Sequence, residues 1–125
     1  MKRKVMVVDD DVKLTRLLKH FLEKKGDYEV VVENTSTRAA AKVLEIMPDL
    51  IVLDIVMPGK DGGDVAQAIR EDKRTKDIPI IFLTSIVSKK EQADHAGVIG
   101  GDKFLAKPVH IGELLSEIEA ILNPA

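Results

Sequence analysis

The 125-residue sequence contains no cysteine, which removes disulfides, thiolate nucleophiles and zinc–thiolate centres from consideration. It also lacks an excess of one charge. Its 19 Lys and Arg stand against 21 Asp and Glu, for a formal net charge of -2, so bulk attraction to nucleic acid or to an anionic membrane is not expected. Long apolar runs are missing as well. The basic start "MKRK" is followed only by Val5 to Val8 before "DDD" ends the stretch, too little for a signal peptide or a membrane span. A cytoplasmic protein with no membrane attachment and no direct contact with nucleic acid is the expectation. There is no repeat, low-complexity tract or linker-like segment, and the length suits one domain with a real core rather than a catalytic domain plus a cap. Residues 1–125 are therefore expected to form a single unit.

What the chain does have is an alternation of short apolar runs with longer segments of helical period, the pattern of an α/β fold built from βαβ units. Five strands are predicted: "KVMVV" (4–8), "YEVVVE" (28–33), "LIVL" (50–53), "PIIFL" (79–83) and "KFLA" (103–106). Between them, Leu14, Leu17, Leu18, Phe21 and Leu22 mark a first helix that Gly26 is placed to end, and Ile111, Leu114, Leu115, Ile118 and Leu122 mark a last one. Segments 37–46, 63–71 and 88–96 fill the remaining helical slots on weaker, alanine-rich stripes.

The run Leu50 to Leu53 is apolar at every position, as suits a strand covered on both faces, yet it leads straight into Asp54 and a turn, "MPGKDG". Open parallel sheets bind ligands beyond the carboxyl ends of their strands. The polar residues at those ends are Asp9 and Asp10 after the first strand, Asp54 after the third, Thr84 and Ser85 after the fourth, and Lys107 with Pro108 after the fifth. Carboxylates gathered in one place raise one another's pKa unless a cation joins them, and an all-oxygen set suits Mg²⁺. His20, His95 and His110 are scattered and form no softer metal site. Asp11 reads as the N-cap of the first helix.

Taken together, "VVDDD", "LDIVMPGKDG", "IIFLTS" and "FLAKPV" resemble, in order and spacing, the receiver domain of two-component response regulators (the CheY-like family), over the whole chain. The resemblance implies a flavodoxin-like, doubly wound (βα)5 fold with a five-stranded parallel sheet in the order 2-1-3-4-5. It implies that Asp54 accepts a phosphoryl group from a sensor histidine kinase or histidine phosphotransfer protein. Asp9 and Asp10, with Asp54 and the backbone carbonyl of Val56, would hold Mg²⁺. Thr84 and Lys107 would contact the phosphoryl oxygens, and Thr84 with Phe104 would form the switch. The Lys107–Pro108 bond would be cis. The face of the fourth helix, fifth strand and fifth helix would be read by a downstream protein or by an effector domain elsewhere in a longer chain. Glu113, Glu117 and Glu119, with no arginine in the last helix, favour a receiver that stands alone. Val56 and Ile86, apolar and two residues beyond Asp54 and Thr84, would shield a phosphoryl group from water and slow its loss.

Two other readings compete. "VVDDDV" also resembles the first motif of haloacid-dehalogenase-type phosphatases, with Asp9 as nucleophile, Asp11 as general acid, and "FLTS", Lys89 or Lys90 and "GGD" as later motifs. That leaves Asp54 and "AKP" without a task. The other is a degenerate receiver acting without phosphorylation, which the intact set of site positions weakens.

Overall fold

Four successive buried apolar residues, Val5 to Val8, make β1 (Lys4–Val8) a central strand in a computed structural model that describes residues 2–85, 88–94, 98–99 and 102–124, with side chains left aside at 92–94, 98 and 99. β2 (Glu29–Glu33), β3 (Leu50–Asp54), β4 (Ile80–Thr84) and β6 (Asp102–Ala106) join it in parallel register. The sheet order is β2-β1-β3-β4-β6-β5, so the five parallel strands take the expected order, β6 being the fifth of them. The sixth, β5 (Val98–Ile99), pairs antiparallel with β6 and was not anticipated. Two apolar residues between glycines offer no periodicity to read.

Every residue of β3 and β4 is buried, as continuous apolar runs require when both faces are covered. One face packs on α1 (Val12–Lys25) and α5 (Ile111–Leu122) through Val5, Val52 and Leu83 against Leu18, Leu114 and Ile118. The other packs on α2 (Ser36–Ile46) and α3 (Gly62–Glu71) through Met6, Ile51 and Leu53 against Val43, Val65 and Ile69. α4 (Lys89–Asp94) occupies the fourth helical slot; its expected last residues, 95 and 96, lie outside the described ones.

Three local details depart from or sharpen the sequence reading. Leu17, counted in the apolar stripe of α1, is instead 46% exposed. Gly26 does close α1, but it is Asp27 that turns left-handed, at φ 58°. Asp11 caps α1 as expected, its Oδ1 accepting the Leu14 N–H at 3.1 Å.

Candidate functional site

Parallel pairing brings the carboxyl ends of β1, β3, β4 and β6 to one edge, and the register decides which side chains meet there. Val8 pairs with Leu53, Asp54 with Leu83, and Thr84 with Ala106. Asp54 and Thr84 are thus the last residues of their strands, and Asp9 and Lys107 are the first beyond theirs. Asp9, Asp54 and Thr84 are buried, while Asp10 is exposed.

Lys107, 98 residues along the chain from Asp9, places its Nζ 2.9 Å from Asp9 Oδ2 and 3.4 Å from Asp54 Oδ1. Its backbone N–H donates to the Thr84 carbonyl at 2.9 Å, and the Lys107–Pro108 bond is cis. The other Asp9 carboxylate oxygen, Oδ1, accepts the Asp11 N–H at 2.9 Å. Burial, and then the charge of Asp9, push the Asp54 carboxyl up from its ordinary 3.8 to about 6; Lys107 and a backbone hydrogen bond from Val56 pull the other way without cancelling this. For Lys107, burial works against the ammonium, but the hydrogen bond and charge of Asp9 and the charge of Asp54 outweigh it, so its pKa is raised.

Asp9, Asp10 and Asp54 each offer an oxygen, and these oxygens all lie within 4.8 Å of one another. An oxygen-only set of carboxylates, one of them pushed up to about 6 by burial and by the charge of Asp9, fits a hard divalent cation. Asp11 stands outside this cluster, occupied in capping α1, so the phosphatase-like pairing of Asp9 with Asp11 is not assembled.

The loop from Asp54 to α3 is closed by the Gly62 N–H donating to the Ile55 carbonyl at 2.7 Å, and it exposes Val56 while burying Met57. Phe104 is half-buried and stacks on Phe82, with centroids 5.1 Å apart and an interplanar angle of 22°. Arg70 of α3 lies over the Phe82 ring and pairs with Asp102 at 2.7 Å. His20 and His110 are exposed; His95 and Ile86 lie outside the described residues. Two residues that the sequence did not single out approach the site from the β2–α2 connection. Asn34 Nδ2 donates to the Asp9 carbonyl at 2.8 Å, and Ser36 Oγ donates to the Pro58 carbonyl at 2.7 Å.

A family model of the response regulator receiver domain matches residues 5–119. Among curated relatives, the transcriptional regulatory protein ResD of Bacillus subtilis is 39% identical over 124 residues, covering 98% of this chain and 49% of its own. CpxR of Escherichia coli, also a transcriptional regulatory protein, is 38% identical over 121 residues, covering 96% and 49%. The chain therefore spans about half the length of these relatives. Among solved structures, the Vibrio cholerae chemotaxis protein CheY4 superposes with a TM-score of 0.81 at 30% identity, covering 98% of this chain and 100% of its own. The HemR receiver domain of Leptospira biflexa gives 0.79 at 31% identity, covering 99% and 97%. With the parallel sheet, its acidic edge and these matches in agreement, the chain belongs to the response regulator receiver family, signalling phosphoacceptors rather than enzymes that turn over a metabolite.

Proposed function

We propose that residues 1–125 act as one receiver unit whose Asp54 accepts a phosphoryl group from a phosphohistidine on a partner kinase or phosphotransfer protein. The observation that carries this reading is the meeting of Asp9, Asp54 and Lys107 at the carboxyl edge of the sheet. A carboxylate oxygen of Asp54 attacks phosphorus, a P–O bond forms, and the P–N bond breaks with its electron pair leaving on the imidazole nitrogen. Lys107, already held between Asp9 and Asp54, offsets charge on the phosphoryl oxygens. Thr84 donates its hydroxyl to one of those oxygens. Asp9 and Asp10, with Asp54 and the Val56 carbonyl, would hold Mg²⁺. When bound, this ion supplies positive charge against the carboxylates and the phosphoryl group. The product is a signal, and a cytoplasmic location goes with it.

The readout follows from packing. A dianion at Asp54 draws Thr84 inward and leaves room beside β4 into which Phe104 turns. That biases the face of α4, β6 and α5, where a downstream protein or an effector domain of a longer chain docks. Incubation with Mg²⁺ and acetyl phosphate should add one phosphoryl mass to the parent and none to Asp54→Asn. A phosphorylated Asp54→Asn variant would turn the assignment toward Asp9.

A further inference from the structure

We propose that the β2–α2 connection and the first residue of α2, residues 34–36, form a brace that fixes the two ligand-bearing loops relative to each other, with Asn34 and Ser36 as its positioning residues. The proposal rests on the functional reading above and concerns how the ligand set is kept in place. The loop after β1 carries Asp9 and Asp10, and the loop after β3 carries Val56. Each receives hydrogen bonds from this one connection.

On the β1 side, Asn34 Nδ2 donates to the Asp9 carbonyl at 2.8 Å and to Thr15 Oγ1 at 3.0 Å, while Thr15 Oγ1 donates to the Val12 carbonyl at 3.1 Å. The amide thus ties the backbone of a metal-ligand residue to the first turn of α1. On the β3 side, the buried Ser36 hydroxyl donates to the Pro58 carbonyl at 2.7 Å and accepts the Lys60 N–H at 3.1 Å. One side chain spans the bend of the loop. Gly59 lies between those two partners at φ +83°, and a Cβ there would come 3.2 Å from Ser36 Oγ. The loop can lie this close because that residue is glycine.

The connection is itself anchored. The buried Glu33 carboxylate accepts the Thr35 N–H at 2.8 Å and faces Lys42 at 3.6 Å, and the Glu33 carbonyl accepts the Asp9 N–H at 3.1 Å. Exposed loops are ordinarily the most mobile parts of a fold, and carboxylates in one cluster push their loops apart. Mg²⁺ demands near-ideal octahedral geometry, so small drifts of either loop weaken its binding. A brace that bonds both loops limits that drift before the ion or the phosphodonor arrives. Groups that orient metal ligands commonly contribute about 10- to 100-fold in affinity.

The test measures the thermal midpoint against Mg²⁺ concentration by circular dichroism, for the parent, Asn34→Ala, Ser36→Ala, Ser36→Thr and Thr75→Val. Thr75 is a buried hydroxyl remote from the site, bonded to the Ile69 carbonyl at 2.7 Å, and controls for lost stability alone. The Mg²⁺ dissociation constant fitted to the rise of the midpoint should be about tenfold larger in the two alanine variants and stay near the parent's in Ser36→Thr and Thr75→Val. Alanine variants that melt lower without Mg²⁺ but keep the parent's fitted dissociation constant would reduce the brace to ordinary packing and overturn the proposal. A parent whose midpoint ignores Mg²⁺ would instead overturn the functional reading beneath it. Either alanine variant decides the matter should the other not fold.

Discussion

Asp54 is the residue where the fold works against itself. Its carboxyl is raised from 3.8 to about 6, so between those values the folded chain keeps a proton that the unfolded chain releases. The cost that Asp54 imposes on stability is therefore absent below the lower value, grows as pH rises toward 6, and above it is complete, at most about 3 kcal/mol. Without Mg²⁺, Asp54→Asn should melt above the parent at about pH 7.5, with the advantage shrinking toward about pH 4. Thermal scans across pH measure this, and a pH-independent difference would show that the charge is not the cause. Val56 makes a second claim at this scale. It is 54% exposed, two residues beyond the acceptor, with no atom that could orient a water through its side chain. Val56→Asn should hasten decay of phosphorylated Asp54 by about 10-fold after donor removal, and unchanged decay would clear this position of a role in lifetime.

At the scale of elements, what was legible followed from burial on both faces. β3 and β4 announced themselves as unbroken apolar runs, and α5 by its stripe. α4, "KKEQAD" over its described residues, carries no such stripe, so it was the least legible of the helices. Asn34 and Ser36 were missed because polar residues ahead of a helix look like capping chemistry, whereas Ser36 spends its hydroxyl on a neighbouring loop. The join of β3 to α3 can be probed by a glycine that looks like any turn glycine. A Cβ on Gly62 would meet the Asp54 carbonyl oxygen and fall 2.7 Å from Ile55 Cα, both backbone. Gly62→Ala should cost roughly 1–3 kcal/mol in urea unfolding. Gly112→Ala in α5, with nothing within 4 Å of its Cβ, should instead gain about 0.5–1 kcal/mol. Equal effects at the two sites would contradict the crowding described at Gly62.

Over the whole molecule, two apolar layers hold the sheet from either side and leave its carboxyl edge as the place where polar groups gather. The list of strand-end residues could be read from the sequence, but their meeting could not. Lys107 reaches Asp9 only because β6 lies beyond β4, and that order came from family likeness, since periodicity carries no information on which strands are neighbours. No described helix is long and apolar enough to cross a membrane. The central claim is that one carboxylate among three takes the phosphoryl group, and the most direct test is chemical trapping. After incubation with Mg²⁺ and acetyl phosphate, borohydride reduces an aspartyl phosphate to homoserine, and peptide mass mapping locates it. Homoserine at position 54 and nowhere else is the expected result; homoserine at position 9, with Asp54 unchanged, would contradict the account.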